Sequence, residues 1–192
     1  NSLSKKNIYI RRLFALACIT AIGLFASFHA HSKEVSQTAK THQLSHMDGL
    51  VTIDGQLNEA FWQQATQIEL AYENDPGEGT RALVKTQAYL YENGDSLFIA
   101  FKAFDPKPSQ IRGNLSDRDD LWSDDFVGVI IDTFNDERGA YQFFVNPVGV
   151  QADARLNDTD GWNSDDSWDA IWHSAASVNE EGWTVEMRIP FS

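Results

Sequence analysis

Residues 83–104 read LVKTQAYLYENGDSLFIAFKAF, and this stretch decides the fold. Val84, Thr86, Ala88 and Leu90 alternate with Lys85, Gln87, Tyr89 and Tyr91, the two-residue period of a half-buried strand. Asn93-Gly94 follows, a pair that accepts the positive φ angles a tight hairpin turn demands. Residues 96–104 then return with apolar side chains on both faces, the second arm of a hairpin.

Downstream the same signals recur. Residues 126–133 form a continuous apolar run, residues 136–139 (DERG) a turn, and residues 141–146 the partner strand. Residues 149–156 continue the meander after Pro147. Residues 171–178 and 183–189 make a last pair, in which Trp183, Val185, Met187 and Ile189 alternate with Thr184, Glu186 and Arg188. One helix is expected over residues 57–65, behind Asp54-Gly55, with Leu57, Ala60 and Phe61 on one face. Six or more strands at short spacing with a single helix predict an all-β, antiparallel β-sandwich of jelly-roll-like type. Residues 33–48 are polar and aperiodic and read as a linker, so the domain is expected over residues 49–192. Residues 157–169 read as a long acidic loop.

Residues 1–32 carry Lys5, Lys6, Arg11 and Arg12 and no acid, then an apolar run over residues 13–28 and small residues at Ala30 and Ser32. That order predicts a cleaved secretory signal peptide. The expected destinations are the periplasm, the outer membrane or the extracellular space. Cys18, the only cysteine, lies inside this leader, so the exported domain must fold without disulfides. Without residues 1–32 the chain keeps 11 Lys plus Arg against 28 Asp plus Glu, a net charge of −17. Such a surface repels polyanions, and neither nucleic acid nor an anionic membrane is an expected partner. The chain begins without Met and stops directly after a strand. It is therefore expected to be part of a longer polypeptide, with the last strands of the sandwich missing.

The chemistry-bearing residues are aromatic and acidic. Trp122 stands in residues 119–125 (DDLWSDD) and Trp162 in residues 160–166 (DGWNSDD). An exposed indole can stack on the apolar CH face of a sugar while acids and amides accept from its hydroxyls. A partly buried anchor within a solvated acidic loop is the other reading. Trp62 and Trp183 are expected in the core. Asp117, Asp119 and Asp124 are candidate calcium ligands, calcium being a hard cation that takes six to eight oxygens; an acidic surface without metal is the alternative. So many acids are present that no glycosidase pair is singled out. GxSxG, HExxH, P-loop and GxGxxG patterns do not occur. Neither haem nor a nucleotide is expected: His173 is left as the one histidine beyond the linker, and a haem would need it paired with a residue such as Met187.

In their order, several landmarks resemble the family-9 carbohydrate-binding modules, including those at the N-terminus of outer-membrane β-barrel proteins and those attached to xylanases. They are Asp54-Gly55 with Glu59 and Trp62, the strand ending in Asp105-Pro106, Trp122 with Asp125, residues 126–132 (FVGVIID), residues 141–147 (YQFFVNP) and residues 182–190 (GWTVEMRIP). The likeness runs from about Ile53 to Ser192. It implies a noncatalytic sandwich that holds sugar between two tryptophans, with structural calcium in some members and a barrel or glycoside hydrolase elsewhere in the polypeptide. Trp122 falls where the first clamping tryptophan would be; the second lies past the end of this chain, or Trp162 or Trp168 takes its place. The expected ligand-binding set is Trp122, Asp120, Asp125, Trp162 and Asn146.

Overall fold

The fold is described from a computed structural model, over residues 41–73, 79–136, 138–157 and 163–191. In chain order the elements are β1 (Ser45–His46), α1 (Ala60–Gln64), β2 (Thr66–Glu69), β3 (Tyr72–Glu73), β4 (Thr80–Arg81), β5 (Thr86–Glu92), β6 (Ser96–Phe104), a 3-10 turn (Pro108–Gln110), β7 (Val127–Ile131), β8 (Gly139–Val145), β9 (Gln151–Asn157), β10 (Asn163–Asp165), β11 (His173–Asn179) and β12 (Gly182–Pro190). Two sheets pack as a sandwich. The first runs β1-β5-β6-β12-β11, with β2 sharing the β5 edge that β1 also uses; the second runs β10-β9-β8-β7. β3 and β4 form a separate small ribbon.

The predicted hairpin is β5-β6, in register from Thr86 opposite Ala103 to Glu92 opposite Leu97. Gly94 takes φ +90° in its turn, and the Asn93 side chain accepts from the Asp95 and Ser96 amides, which closes the turn from within. β6 is apolar on both faces because both are covered. Leu97, Ile99, Phe101 and Ala103 meet the inter-sheet core with Val129, Phe143, Val145, Val185 and Met187. On the other side, Phe98 and Ala100 lie under a third layer formed by Val51, Trp62 and Ala65, with Tyr91. Trp62 and Trp183 are both buried, as their neighbours implied.

Several boundaries differ from the sequence reading, each for a local reason. The helix is shorter, Ala60–Gln64 against residues 57–65, because Glu59 still has extended backbone angles. Pairing starts at β1, inside the stretch read as linker. Ser45 and His46 pair in parallel with Tyr91 and Glu92, and the Ser45 amide donates to the Thr66 hydroxyl. Backbone pairing of this kind leaves no side-chain period to read. β10 lies within the stretch read as one acidic loop and pairs with β9. Residues 1–32, expected to be a leader, lie outside the described residues.

The parity of β7 and β8 positions the site. Val127, Val129 and Ile131, with Tyr141, Phe143 and Val145, point into the sandwich. Gly128, Ile130, Gln142 and Phe144 therefore occupy the outer face of the four-stranded sheet, Gly128 opposite Phe144 and Ile130 opposite Gln142.

Candidate functional site

Trp122 lies over this outer face. Its side is held by two edge contacts, to Phe126 at 5.6 Å and Phe144 at 5.6 Å between ring centroids. Phe126 and Phe144 meet edge-on in turn at 5.5 Å. Leu121, Val150 and Ala152 form a buried floor against which Phe144 packs. Such T-shaped contacts fix a ring, and Trp122 is 53% exposed. Gln142 sits two residues along β8 from Phe144, about 7 Å away on the same face. The Ser164 hydroxyl on β10 bonds to its side-chain oxygen at 3.1 Å.

Gly128 makes the arrangement possible. A Cβ at this position would be driven into the Phe144 ring and the Phe143 carbonyl. Overpacking a tight site costs about 1–3 kcal/mol. Gly128→Ala is therefore expected to lower the thermal midpoint by several degrees and to displace Phe144, seen as a changed near-ultraviolet circular dichroism signal.

Asp124 and Asn146 hold the loop that presents Trp122. The Asp124 carboxylate accepts from the Asn114 amide at 2.9 Å, the Asn114 side chain at 2.6 Å and the Asn146 side chain at 2.8 Å. These donors, the Asn114 backbone first, hold its pKa below the usual carboxylate value. The Asn146 oxygen accepts from the Val148 and Val150 amides. Asn146, expected to touch ligand, is instead fully buried with its amide engaged on both sides, and it positions the loop. Asp124, expected to hold metal, is filled by N–H donors for the same reason.

The other acids of the loop also diverge. Asp119 takes a left-handed φ of +69°; its carboxylate accepts from the Asp153 amide, and burial pushes its pKa up. Arg118 beside it reaches the fully buried Asp153 carboxylate and the Gln151 side chain, so the loop is clamped to β9. Asp125 pairs with Arg112 at 3.1 Å. Asp117 and Asp120 are exposed. The trio Asp117, Asp119 and Asp124 does not converge on a common point. Among the described residues the carboxylates that do converge are Asp54, Glu59 and Glu186, on the other sheet.

Trp162, expected in the site, lies outside the described residues. Trp168 faces the wrong way to oppose Trp122. It packs on Tyr141 at 4.8 Å and Phe143 at 6.2 Å, both inward-pointing. His173 and Met187 also lie on opposite faces, since Met187 is opposite Ser174 and His173 opposite Arg188, and they cannot share a haem. His173 instead lines an open cleft of about 410 Å³ with Leu50, Val51, Ser174 and Arg188, which does not include Trp122. Trp122 lines neither this cleft nor a second one bordered by Leu115, Arg118, Val148 and Gln151. Sequence reasoning missed Phe126, Phe144, Gln142 and Ser164. The inward positions of residues 141–145 were the available signal, because they leave Gln142 and Phe144 outward.

A two-sheet sandwich that presents an exposed, edge-supported indole on one outer face has the architecture of a binding module. Residues 53–192 match the carbohydrate family 9 binding domain-like family, and the chain belongs to it. Among solved structures it is similar to a family 9 carbohydrate-binding module from Caldicellulosiruptor kristjanssonii. In the complex of that module with cellotriose the identity is 15% and the TM-score 0.55, over 78% of this chain and 67% of that one. In its complex with glucose the values are 15% and 0.54, over 77% and 68%. A Bacteroides uniformis ATCC 8492 protein, proposed to bind carbohydrate, aligns at 14% identity and TM-score 0.52, over 68% of this chain and 62% of that one. At these identities the likeness establishes the fold, and the chain spans roughly two thirds of each relative. No curated protein matches it.

Proposed function

We propose that this domain is a noncatalytic carbohydrate-binding module whose contact surface is the Trp122 face of the four-stranded sheet. The observation that carries the reading is the indole itself, 53% exposed yet fixed by T-shaped contacts with Phe126 and Phe144. A preorganised ring loses little freedom when a pyranose stacks on it. Ser164, bonded to the buried Gln142 side chain, offers a polar group along the same face, and Asp120 stands exposed in the loop beside Trp122 as an acceptor for sugar hydroxyls. The module similar to it that was solved with cellotriose and glucose makes β-linked gluco-oligosaccharides the first ligands to try. Turnover is not part of the reading. Of the acids nearest Trp122, Asp124 is filled by N–H donors and Asp125 is paired with Arg112, so neither is offered as a proton donor. The proposal includes export by the leader of residues 1–32 and work in the periplasm, at the outer membrane or outside the cell, beside a barrel or catalytic domain of a longer polypeptide.

Titrating the protein with cello- and xylo-oligosaccharides while following tryptophan emission tests the central claim. A saturable change with at least one series is expected, because sugar over the indole replaces water at its face. A flat response to every oligosaccharide, with calorimetry silent as well, would end the reading.

A further inference from the structure

The cleft of about 410 Å³ that His173 lines opens at the start of β11, the edge strand of the six-stranded sheet. Three layers meet there. Leu50, Val51 and Ile53 supply its apolar side, from the segment that leads into the third layer. His173 and Arg188, directly opposite one another on β11 and β12, supply its basic side. Trp172, Ser174 and, from the four-stranded sheet, Gln151 complete the lining. Clefts of this size hold small-molecule ligands.

None of the eight lining residues is acidic, on a chain with 28 Asp plus Glu against 15 Lys plus Arg. Arg188 is partly buried. Its Nε donates to the Ser96 hydroxyl at 3.2 Å, which anchors the guanidinium and leaves the two terminal nitrogens over. Among the described residues no acid pairs with it. Glu186, two residues along the same face of β12, is already occupied by the Asp54 and Gly55 amides and Trp62 Nε1. Gln151 is fixed in orientation, because its side-chain oxygen accepts from Arg118 while its Nε2 donates to the Ser174 hydroxyl. The Ser174 proton is therefore left to donate elsewhere. His173 is exposed and carries a further ring N–H, and Trp172 Nε1 is a buried donor with no partner. The cleft has a surplus of donors around one anchored positive charge.

We propose that this cleft binds a monocarboxylate, with Arg188 on the carboxylate, His173 and Ser174 donating beside it, and Leu50, Val51 and Ile53 against the body of the molecule. A guanidinium presents paired N–H groups to the two oxygens of one carboxylate. Held partly out of water, that contact is stronger than on an open surface. One positive charge on an acidic chain suits a single negative charge, since a polyanion meets the repulsion of the whole surface. The class includes a sugar acid such as glucuronate and a small hydroxy acid such as lactate, and leaves out polyuronates and sugar phosphates. Trp122 does not line the cleft, so the inference stands apart from the sugar reading of that face.

Protein carrying Trp122→Ala, titrated with glucuronate, glucose and lactate, tests this with the first surface disabled. Amide-correlation NMR is the readout, because it registers weak binding residue by residue. Glucuronate should shift the His173 and Ser174 amide signals saturably, and glucose should leave them in place. Arg188→Gln should weaken glucuronate binding about tenfold or more. His173→Ala, at an exposed residue, should weaken it several-fold and is the second variant should Arg188→Gln fail to fold. Lactate as tight as glucuronate would identify a small organic acid as the ligand, and weaker lactate a sugar acid; both support a carboxylate site. Signals that stay still with both acids overturn the proposal, and so do shifts that glucose reproduces or that survive both variants undiminished. Such a failure leaves the Trp122 surface untouched, since oligosaccharide binding to the unaltered protein is measured separately.

Discussion

Glu186→Ala should cost about 3–5 kcal/mol of folding stability, as removal of one side of a buried charged network does. The carboxylate accepts three hydrogen bonds, from the part-buried Asp54 amide and from two buried donors, the Gly55 amide and Trp62 Nε1. Alanine strands the two buried ones, and each buried donor left unpaired costs about 1–3 kcal/mol. The change also opens a void under the layer formed by Trp62, Tyr91, Phe98 and Val51. Against a typical domain stability of about 5–15 kcal/mol, the variant should be marginal near room temperature. Glu186→Gln should retain part of the loss, because one acceptor oxygen remains. Urea denaturation in EDTA, which removes any contribution from metal, reads both values. A loss below about 1 kcal/mol for the alanine variant would mean that apolar contacts alone hold the third layer.

Glu186 shows where sequence reading stops. Its strand was legible: Trp183, Val185, Met187 and Ile189 alternate inward as the pattern required, and β5-β6 follows from parity and Asn93-Gly94. Alternation says which side of a sheet a residue faces. It does not say whether that side is wet. Glu186 points away from the inter-sheet core, as expected of a polar partner in the alternation, and is dry because a turn 132 residues earlier folds over it. The same limit explains Asp124. In sequence it is one aspartate among five, and only the distant Asn114 and Asn146 amides make it a buried acceptor. Trp168 was ambiguous for a related reason. It stands beyond a loop, where no period fixes which sheet face it reaches, and it packs inward on Tyr141. Trp122 could be found because charged residues on both sides argue for exposure. Of its supporting rings Phe126 could not, since the run over residues 126–133 is apolar at nearly every position and hides its own parity.

Trp122→Ala should weaken oligosaccharide binding by about 2 kcal/mol or more, the range of an interface residue on which a complex centres, or roughly thirty-fold in Kd. The argument is geometric. The indole supplies the exposed aromatic surface, while Phe126 and Phe144 meet it in T-shaped contacts and so support it. Removing it exposes those edges and leaves the sugar no plane on which to lie. Stability should fall by about 1–3 kcal/mol, since the two T-shaped contacts are worth about 0.5–1.5 kcal/mol each. Trp122→Phe keeps a smaller face and should fall between. Asp125→Asn should alter affinity little, because its side chain is occupied by Arg112, and Asn146→Ala should damage binding and stability together, because it loosens the loop. Isothermal titration alongside thermal denaturation separates these patterns. An alanine variant at Trp122 that binds as the unaltered protein does would move the contact surface off this face, even if the domain binds sugar.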